Sequence, residues 1–272
     1  MEDLEKTEDM SNYTIEDGVL TFFDEYSIAD ELIIPDGVKK INGDAIVSSL
    51  LKARSVIIPE GVEEIGEAAF LDCESIEHVV LPSTLKYIGQ AAFMDCFNLE
   101  TAQIPVGCSV GDNAFGSCHK LTDADVQNAS FIGENAFCFC ESLQNANIAE
   151  GIETVPDFAF SYCISLTGLS LPHSLKNIGI SAFGDCNMLT EVILHDGLKR
   201  IENYAFEKCT SLREIVLPKG IKFVGKRVFS GCKNITVYCE EYSKPEGWDN
   251  NWNVTGGLFI KKRCRVVWGW KN

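Results

Sequence analysis

The feature that most constrains this sequence is a short phrase, A-F-x-x-C, that returns at almost fixed intervals. In the last copy Val228 replaces the alanine. A cysteine follows three residues after each phenylalanine of the phrase, at Phe70, Phe93, Phe115, Phe137, Phe160, Phe183, Phe206 and Phe229. The steps between successive phenylalanines are 23, 22, 22, 23, 23, 23 and 23 residues. A period of this length, held over most of a chain, is typical of solenoids, in which each repeat packs on its neighbours.

One complete unit shows what each repeat is expected to form. Val79 and Val80 belong to an alternating apolar run, which predicts a short strand with one buried side. Leu85 and Ile88 predict a second short strand on another wall of the same coil. The A-F-x-x-C segment is too short for an independent helix, so we expect a helical turn that places its phenylalanine in the core. Coils of two short strands and a turn would then stack in parallel.

The repeat divides the chain into four predicted regions. These are a disordered acidic tail (1–11), an N-terminal β-hairpin cap (12–30), the solenoid (31–235) and a C-terminal cap (236–272). The hairpin is predicted from Asp17-Gly18 between two β-prone runs, because a type I′ turn needs positive φ at both central positions. All four tryptophans lie in the last region, where large rings can cover the open end of the core. The alternative is an aromatic platform for a carbohydrate or another ligand.

The cysteines follow the repeat more than they follow any disulfide pattern. Eight of the twelve occupy the one-per-coil position. Their side chains would point in the same direction, which suits a disulfide poorly. Free cysteine is among the most buried residue types, so we predict a reduced and buried column. Cys108, Cys138, Cys239 and Cys264 share no common rule.

Charge and missing motifs exclude several classes of function. With 40 acidic and 23 basic residues, the formal net charge is −17, which argues against binding to nucleic acid or to anionic membranes. No apolar run approaches the roughly 20 residues of a membrane-spanning helix. No phosphate-binding, zinc-ligating or nucleophile motif appears, so we expect no cofactor, metal or catalytic residue.

The amino terminus has no signal-peptide pattern, which predicts a cytoplasmic protein as written. The alternative is a secreted or surface protein whose amino terminus was trimmed. We expect a monomer.

The consensus of the repeat resembles a known family. From Leu32 to Ile235 the chain follows the pattern L-x-x-V-x-L-P-x-x-L-x-x-I-G-x-x-A-F-x-x-C, which is similar to the BspA-type leucine-rich repeat family. The tail, with Gly247-Trp248 and Val267-Trp268, resembles a closing segment of gut-bacterial members. The resemblance implies a β-rich, leucine-rich-repeat-like right-handed superhelix used for protein or glycan contact, often in adhesion at bacterial or protist surfaces. It implies no enzymatic activity and carries over no binding residues.

The outward position of the first strand changes character along the chain. It is apolar in the first coils (Ile33, Ile57, Val80), polar in the middle (Gln103, Asp125, Asn147, Ser170) and apolar again afterwards (Ile193, Val216). Glu100, Asp123 and Asn145 lie beside the polar part. We predict that the polar centre, formed by Glu100, Gln103, Asp123, Asp125, Asn145, Asn147 and Ser170, contacts a polar or basic partner. An ordinary solvated sheet is the alternative interpretation.

Three functions remain open from the sequence. The first is a non-enzymatic scaffold that binds a protein or glycan through the strand face of the solenoid. The second is an enzyme, for example one acting on glycans, that uses the aromatic C-terminal segment. The third is a purely structural spacer.

Overall fold

The structure, a computed structural model, describes residues 13–23, 30–43, 45–46, 52–256 and 262–271. The predicted disordered tail lies outside these residues. The described chain forms a solenoid of short strands with almost no helix. Two series of strands alternate along the chain, and we refer to them as the first wall and the second wall.

The two walls are defined by their strands. The first wall contains β3 (Glu31–Ile33), β5 (Ser55–Ile57), β7 (His78–Val80), β9 (Thr101–Ala102), β12 (Asn145–Asn147), β14 (Gly168–Ser170), β17 (Glu214–Leu217), β19 (Thr236–Cys239) and β20 (Arg265–Trp268). The second wall contains β1 (Tyr13–Glu16), β2 (Val19–Phe23), β4 (Lys40–Ile41), β6 (Glu64–Ile65), β8 (Tyr87–Ile88), β10 (Ser109–Val110), β11 (Phe131–Ile132), β13 (Thr154–Val155), β15 (Asn177–Ile178), β16 (Arg200–Ile201) and β18 (Phe223–Val224).

Paired residues in neighbouring strands are one sequence repeat apart. In the first wall Val56 pairs with Val79, and in the second wall Ile65 pairs with Ile88. Both ladders are parallel, and each joins the same position of successive repeats. Val79 and Ile88 are buried whereas Val80 is exposed, so the prediction of two parallel strands is confirmed for these coils.

Neither wall is a continuous sheet in the described part of the chain. The first wall divides into groups of four, two and three strands, and the second into groups of seven and four. One first-wall break falls at residues 123–125, where Asp125 has a left-handed backbone and the 3-10 turn Val126–Asn128 follows. A second break falls at residues 190–194, between β14 and β17, where no strand forms.

A column of phenylalanine rings runs through the core. All eight repeat phenylalanines are fully buried. Neighbouring rings lie nearly parallel, with centroids between 5.0 Å and 6.0 Å apart. The backbone binds the coils at the same level, because the N–H of Phe93 donates to the carbonyl of Ala114 at 2.8 Å and the N–H of Phe160 donates to that of Ala182 at 2.9 Å. The phenylalanine position therefore combines apolar burial with a hydrogen bond to the next coil.

The repeat cysteines form a second column with a polar role. The Sγ of Cys96 donates to the carbonyl oxygen of Phe70 in the preceding coil at 3.1 Å. The same contact recurs at Cys118, Cys140, Cys163, Cys186, Cys209 and Cys232, at distances between 3.1 Å and 3.2 Å. All twelve cysteines lie outside any disulfide, and the repeat cysteines are buried. The thiol suits this position because it packs like a small apolar group and still donates a hydrogen bond.

The A-F-x-x-C segments differ from the expected helical turn in their backbone. They are hydrogen-bonded turns, such as the one closed by the N–H of Cys73 and the carbonyl of Phe70 at 3.3 Å. In this turn Ala68 and Asp72 have φ of 55° and 57°, and the equivalent pairs of later coils are also left-handed. A right-handed helix has negative φ throughout, so the segment is a pair of tight turns.

In several coils a glycine follows the second strand, at a point where the backbones of neighbouring coils pack closely. A Cβ added at Gly89 would lie 2.6 Å from the carbonyl carbon of Gly66. Gly111, Gly133, Gly179 and Gly225 meet the preceding coil in the same way. A side chain at these glycines would collide with the neighbouring backbone, whereas Pro156 and Glu202 occupy the equivalent position after β13 and β16.

The ladders continue into both terminal regions. At the amino end β1 and β2 form the predicted antiparallel hairpin, and β2 pairs in parallel with β4. At the carboxyl end β19 pairs with β17, although it lies beyond residue 235. Trp252 follows Phe229 by one repeat length, and its ring meets that of Phe229 edge-on at 6.3 Å. The domain boundaries themselves remain predictions.

Replacing one ring of the column should destabilise the solenoid. We expect Phe160→Ala to lower the free energy of unfolding by roughly 3–5 kcal/mol, since it leaves a cavity between two fully packed coils. Urea denaturation followed by circular dichroism measures the change. Phe131→Ala is the matched control, because Phe131 is exposed in the second wall, and it should cost less than about 1 kcal/mol. An equal effect of both substitutions would contradict the core column.

The buried thiols should make the fold sensitive to alkaline pH. Burial raises the pKa of Cys96 and of Cys232 to about 12, whereas the pKa of a thiol in the unfolded chain is about 8.5. Between these values the unfolded chain releases thiol protons that the folded chain retains, so the free energy of unfolding falls as pH rises.

We expect the urea midpoint, measured in reductant, to be level from pH 6 to pH 8 and to decline above about pH 8.5. Cys163→Ala removes one such thiol, so its midpoint should decline less steeply with pH than that of the unmodified chain. A midpoint that stays constant up to pH 10 would mean that the thiols are not buried as described.

Candidate interaction surface

The outward face of the first wall is organised in columns. In β3, β7 and β12 the middle residue is buried and the two flanking residues are exposed. The third position of successive strands therefore forms one outward row along the solenoid, which we call the outer row. Its members are Ile33, Ile57, Val80, Gln103, Asp125, Asn147, Ser170, Ile193, Val216 and Tyr238.

Three apolar members of the outer row are exposed, whereas Ile57, Val216 and Tyr238 are half-buried. Ile33 is 57% exposed, Val80 is 54% exposed and Ile193 is 58% exposed. Single exposed aliphatic residues are common on proteins, but repetition in one row is not needed for stability. Burying these side chains against a partner would release their apolar surface from water.

The predicted polar centre lies on this same face. Gln103, Asp123, Asn145, Asn147 and Ser170 are exposed, while Glu100 and Asp125 are half-buried. The ladder places Asn147 directly beside Ser170. Their role as binding residues remains a prediction.

Local hydrogen bonds hold the acidic pair of the centre. The Asp123 carboxylate accepts from the N–H of Asp125 at 3.1 Å. The Asp125 carboxylate accepts from the side-chain amide of Gln127 at 3.4 Å. The first-wall break therefore presents two carboxylates whose positions are set by their own turn.

The structure adds a pocket that the sequence did not predict. It has a volume of about 820 Å³ and lies at the C-terminal end of the first wall. Residues 190–196 line it together with parts of β17 and β19 and with Trp270. None of the seven predicted polar residues lines it. The apolar end of the outer row, Ile193 and Val216, was the only sequence signal for this location.

The floor of the pocket is apolar and aromatic. Ile193, Val216 and Tyr238 come from three successive coils, and Val216 pairs directly with Tyr238. The Trp270 ring lies against Tyr238 with a centroid distance of 4.5 Å. The N–H of Trp270 donates to the carbonyl of Cys239 at 3.0 Å, which fixes the tail over this coil.

Carboxylates surround the same floor. Glu191, Asp196, Glu214 and Glu240 line the pocket, whereas no lysine or arginine is found among its described lining residues. Glu240 is positioned by the N–H of Lys219, which donates to its Oε2 at 3.1 Å. The pocket therefore combines apolar surface with negative charge.

Two of the four tryptophans are unavailable to a ligand. Trp248 and Trp252 are each 2% exposed. The indole N–H of Trp248 donates to the carbonyl of Ile221 at 3.0 Å, so its polar atom is also occupied. An aromatic platform built from all four rings is therefore wrong, and Trp270 is the tryptophan that lines the pocket.

The chemistry of metal sites and of reactive thiols is not found in the described residues. His173 and His195 stack with ring centroids 4.0 Å apart, but no group of three histidine, cysteine or acidic residues in this part of the chain could hold a metal ion. Burial raises the pKa of the Cys138 thiol to about 11, which disfavours the nucleophilic thiolate. Among the described residues no helix has the length and apolar character needed to cross a membrane.

Comparison with known proteins defines the family. A family model described as the BspA type leucine rich repeat region, with six copies, matches residues 9–122 and 108–236. These ranges cover most of the chain, so the chain belongs to the BspA-type leucine-rich repeat family. No protein among the curated ones matches the sequence.

Solved structures of bacterial leucine-rich repeat proteins share the fold. One from Bacteroides ovatus is 22% identical with a TM-score of 0.61, and the match covers 84% of this chain and 69% of that one. The T. pallidum leucine-rich repeat protein is 24% identical with a TM-score of 0.57, covering 66% of this chain and 87% of that one. The pneumococcal vaccine antigen PcpA is 22% identical with a TM-score of 0.53, covering 88% of this chain and 68% of that one.

Proposed function

We propose that this chain is a non-enzymatic interaction scaffold that binds a protein partner through the outward face of its first wall. The observation that carries the proposal is the outer row, which exposes isoleucine and valine at its ends and polar groups in its centre. The consensus residues of the repeat, by contrast, are buried in the core. A leucine-rich repeat fold supports such a role because stacked coils give an extended surface held by a rigid interior.

The alternatives have less support. An enzyme that uses the aromatic tail would have Trp268 and Trp270 accessible among the four tryptophans, because Trp248 and Trp252 are buried. A pure spacer leaves the exposed aliphatic row without a purpose. A glycan ligand would need a ring face to stack on, and of the ten members of the outer row Tyr238 alone offers one.

Charge reversal in the polar centre tests the proposal. Asp125→Arg and Asn147→Arg should each abolish capture of the partner from an extract of the source cells, because they place a cation where a polar or basic surface is expected to dock. The immobilised full chain is the bait, and quantitative mass spectrometry identifies what it enriches.

Matched controls carry the same substitutions elsewhere. Glu134→Arg repeats the charge change of Asp125→Arg, and Gln90→Arg repeats that of Asn147→Arg. Both residues are exposed outside the first wall. Circular dichroism would check that all four variants fold. Undiminished capture by both first-wall variants would exclude the polar centre, and no enrichment by the unmodified chain would count against the scaffold itself.

A further inference from the structure

We infer that the pocket at the C-terminal end of the first wall is a docking site for an extended peptide segment in which basic and apolar side chains alternate. This inference rests on the proposed scaffold function and names the site and the chemistry of its partner. It adds, beside the polar centre, a second contact at Ile193, Val216 and Tyr238. The following observations support it.

The first observation is an interruption of the ladder. No backbone hydrogen bond involves residues 190–194, although these residues lie between β14 and β17. Equivalent residues in the flanking coils are paired, as when the N–H of Ile148 donates to the carbonyl of Ser170 at 2.8 Å. Five consecutive residues thus have backbone donors and acceptors without a backbone partner among the residues that the structure describes, and all five line the pocket. The backbone of a peptide lying in the pocket offers donors and acceptors to these groups.

The second observation is the arrangement of apolar and acidic side chains in two rows. Ile193, Val216 and Tyr238 follow one another in the outer row, and Glu191 and Glu214 occupy the first strand position of two of these coils. Neighbouring strands are about 4.8 Å apart, so the rows run side by side across the coils. An extended segment that lies between the two rows and runs parallel to them would have apolar surface along one edge and carboxylates along the other, so its alternating side chains would meet them in turn.

The third observation is charge complementarity. Glu191, Asp196, Glu214 and Glu240 line the pocket, and its described lining includes no lysine or arginine to neutralise them. Basic side chains would reach these carboxylates with their charged ends while their methylene stems pack on the apolar floor. Trp270 and Tyr238 add aromatic faces that attract cations. An acidic or purely apolar peptide would leave the carboxylates unpaired.

The experiment measures binding of a defined peptide to the full chain. The probe is a dye-labelled nonapeptide of sequence KLKVKLKVK, titrated by fluorescence anisotropy at 150 mM salt. Two peptides control for its features: KSKSKSKSK keeps the charge without the apolar side chains, and ELEVELEVE reverses the charge. We expect the probe to bind more tightly than KSKSKSKSK by at least about tenfold and ELEVELEVE not to bind.

Paired variants separate the pocket from the general negative charge of the protein. Glu191→Gln combined with Glu214→Gln should weaken binding of the probe by roughly five- to tenfold through the loss of two charge pairs. Glu134→Gln combined with Glu141→Gln lowers the net charge by the same amount at exposed residues outside the pocket. This control should change binding by less than about twofold.

Three results would overturn the inference. They are equal weakening by both variant pairs, equal affinity for KSKSKSKSK, and no binding of the probe. A dimer in sedimentation velocity that Ile193→Asp converts to a monomer would show that a second copy of the chain occupies the pocket instead. If the peptide inference fails while Asp125→Arg still abolishes partner capture, the scaffold function stands and only this site is removed.

Discussion

Every coil of this solenoid depends on the bonds that tie it to the next one through the core. The phenylalanine rings stack along the interior, the Phe N–H donates forward to the next coil, and the cysteine Sγ donates back to the preceding Phe carbonyl. A single coil could bury neither its ring nor its polar backbone atoms. Stacking satisfies both at once, which is why the same three groups recur with so little variation.

This interior frees the outer surface to vary. The consensus residues are buried in the core. The outward positions of the first wall do not pack there, so their side chains can vary as long as the strand still forms. They change from isoleucine and valine to asparagine and aspartate and back again. A surface that varies on a fixed frame is what an interaction scaffold requires, whatever the partner.

The sequence predicted the walls and the core because both follow from a strict period. Val79 was assigned to the interior from alternation, Ile88 from its pairing with Leu85 in the repeat, and Phe160 from its place in the A-F-x-x-C segment. The cysteine hydrogen bonds were not predicted, since they depend on the offset between neighbouring coils. The left-handed turns were also missed, because Ala68, Phe158 and Arg227 occupy them and none of these residue types indicates positive φ.

The candidate site was harder to predict for a physical reason. The sequence of residues 190–194 predicts an ordinary strand, and no local residue pattern indicates that its backbone hydrogen bonds are missing. The pocket also needs Trp270 to return to Tyr238 across 32 positions of sequence, a contact between regions that share no repeat. Periodicity predicts what is common to all coils, and the pocket arises where the coils and the tail depart from it.

Hydrogen exchange of individual backbone amides tests the central claim that the axial column holds the solenoid together. The N–H groups of Phe115, Phe137 and Phe160 donate to the following coil, so their exchange requires two packed coils to separate. They should be among the slowest amides of the described chain, far slower than the exposed Gln127. Exchange of these three amides as fast as that of Gln127 would contradict the account.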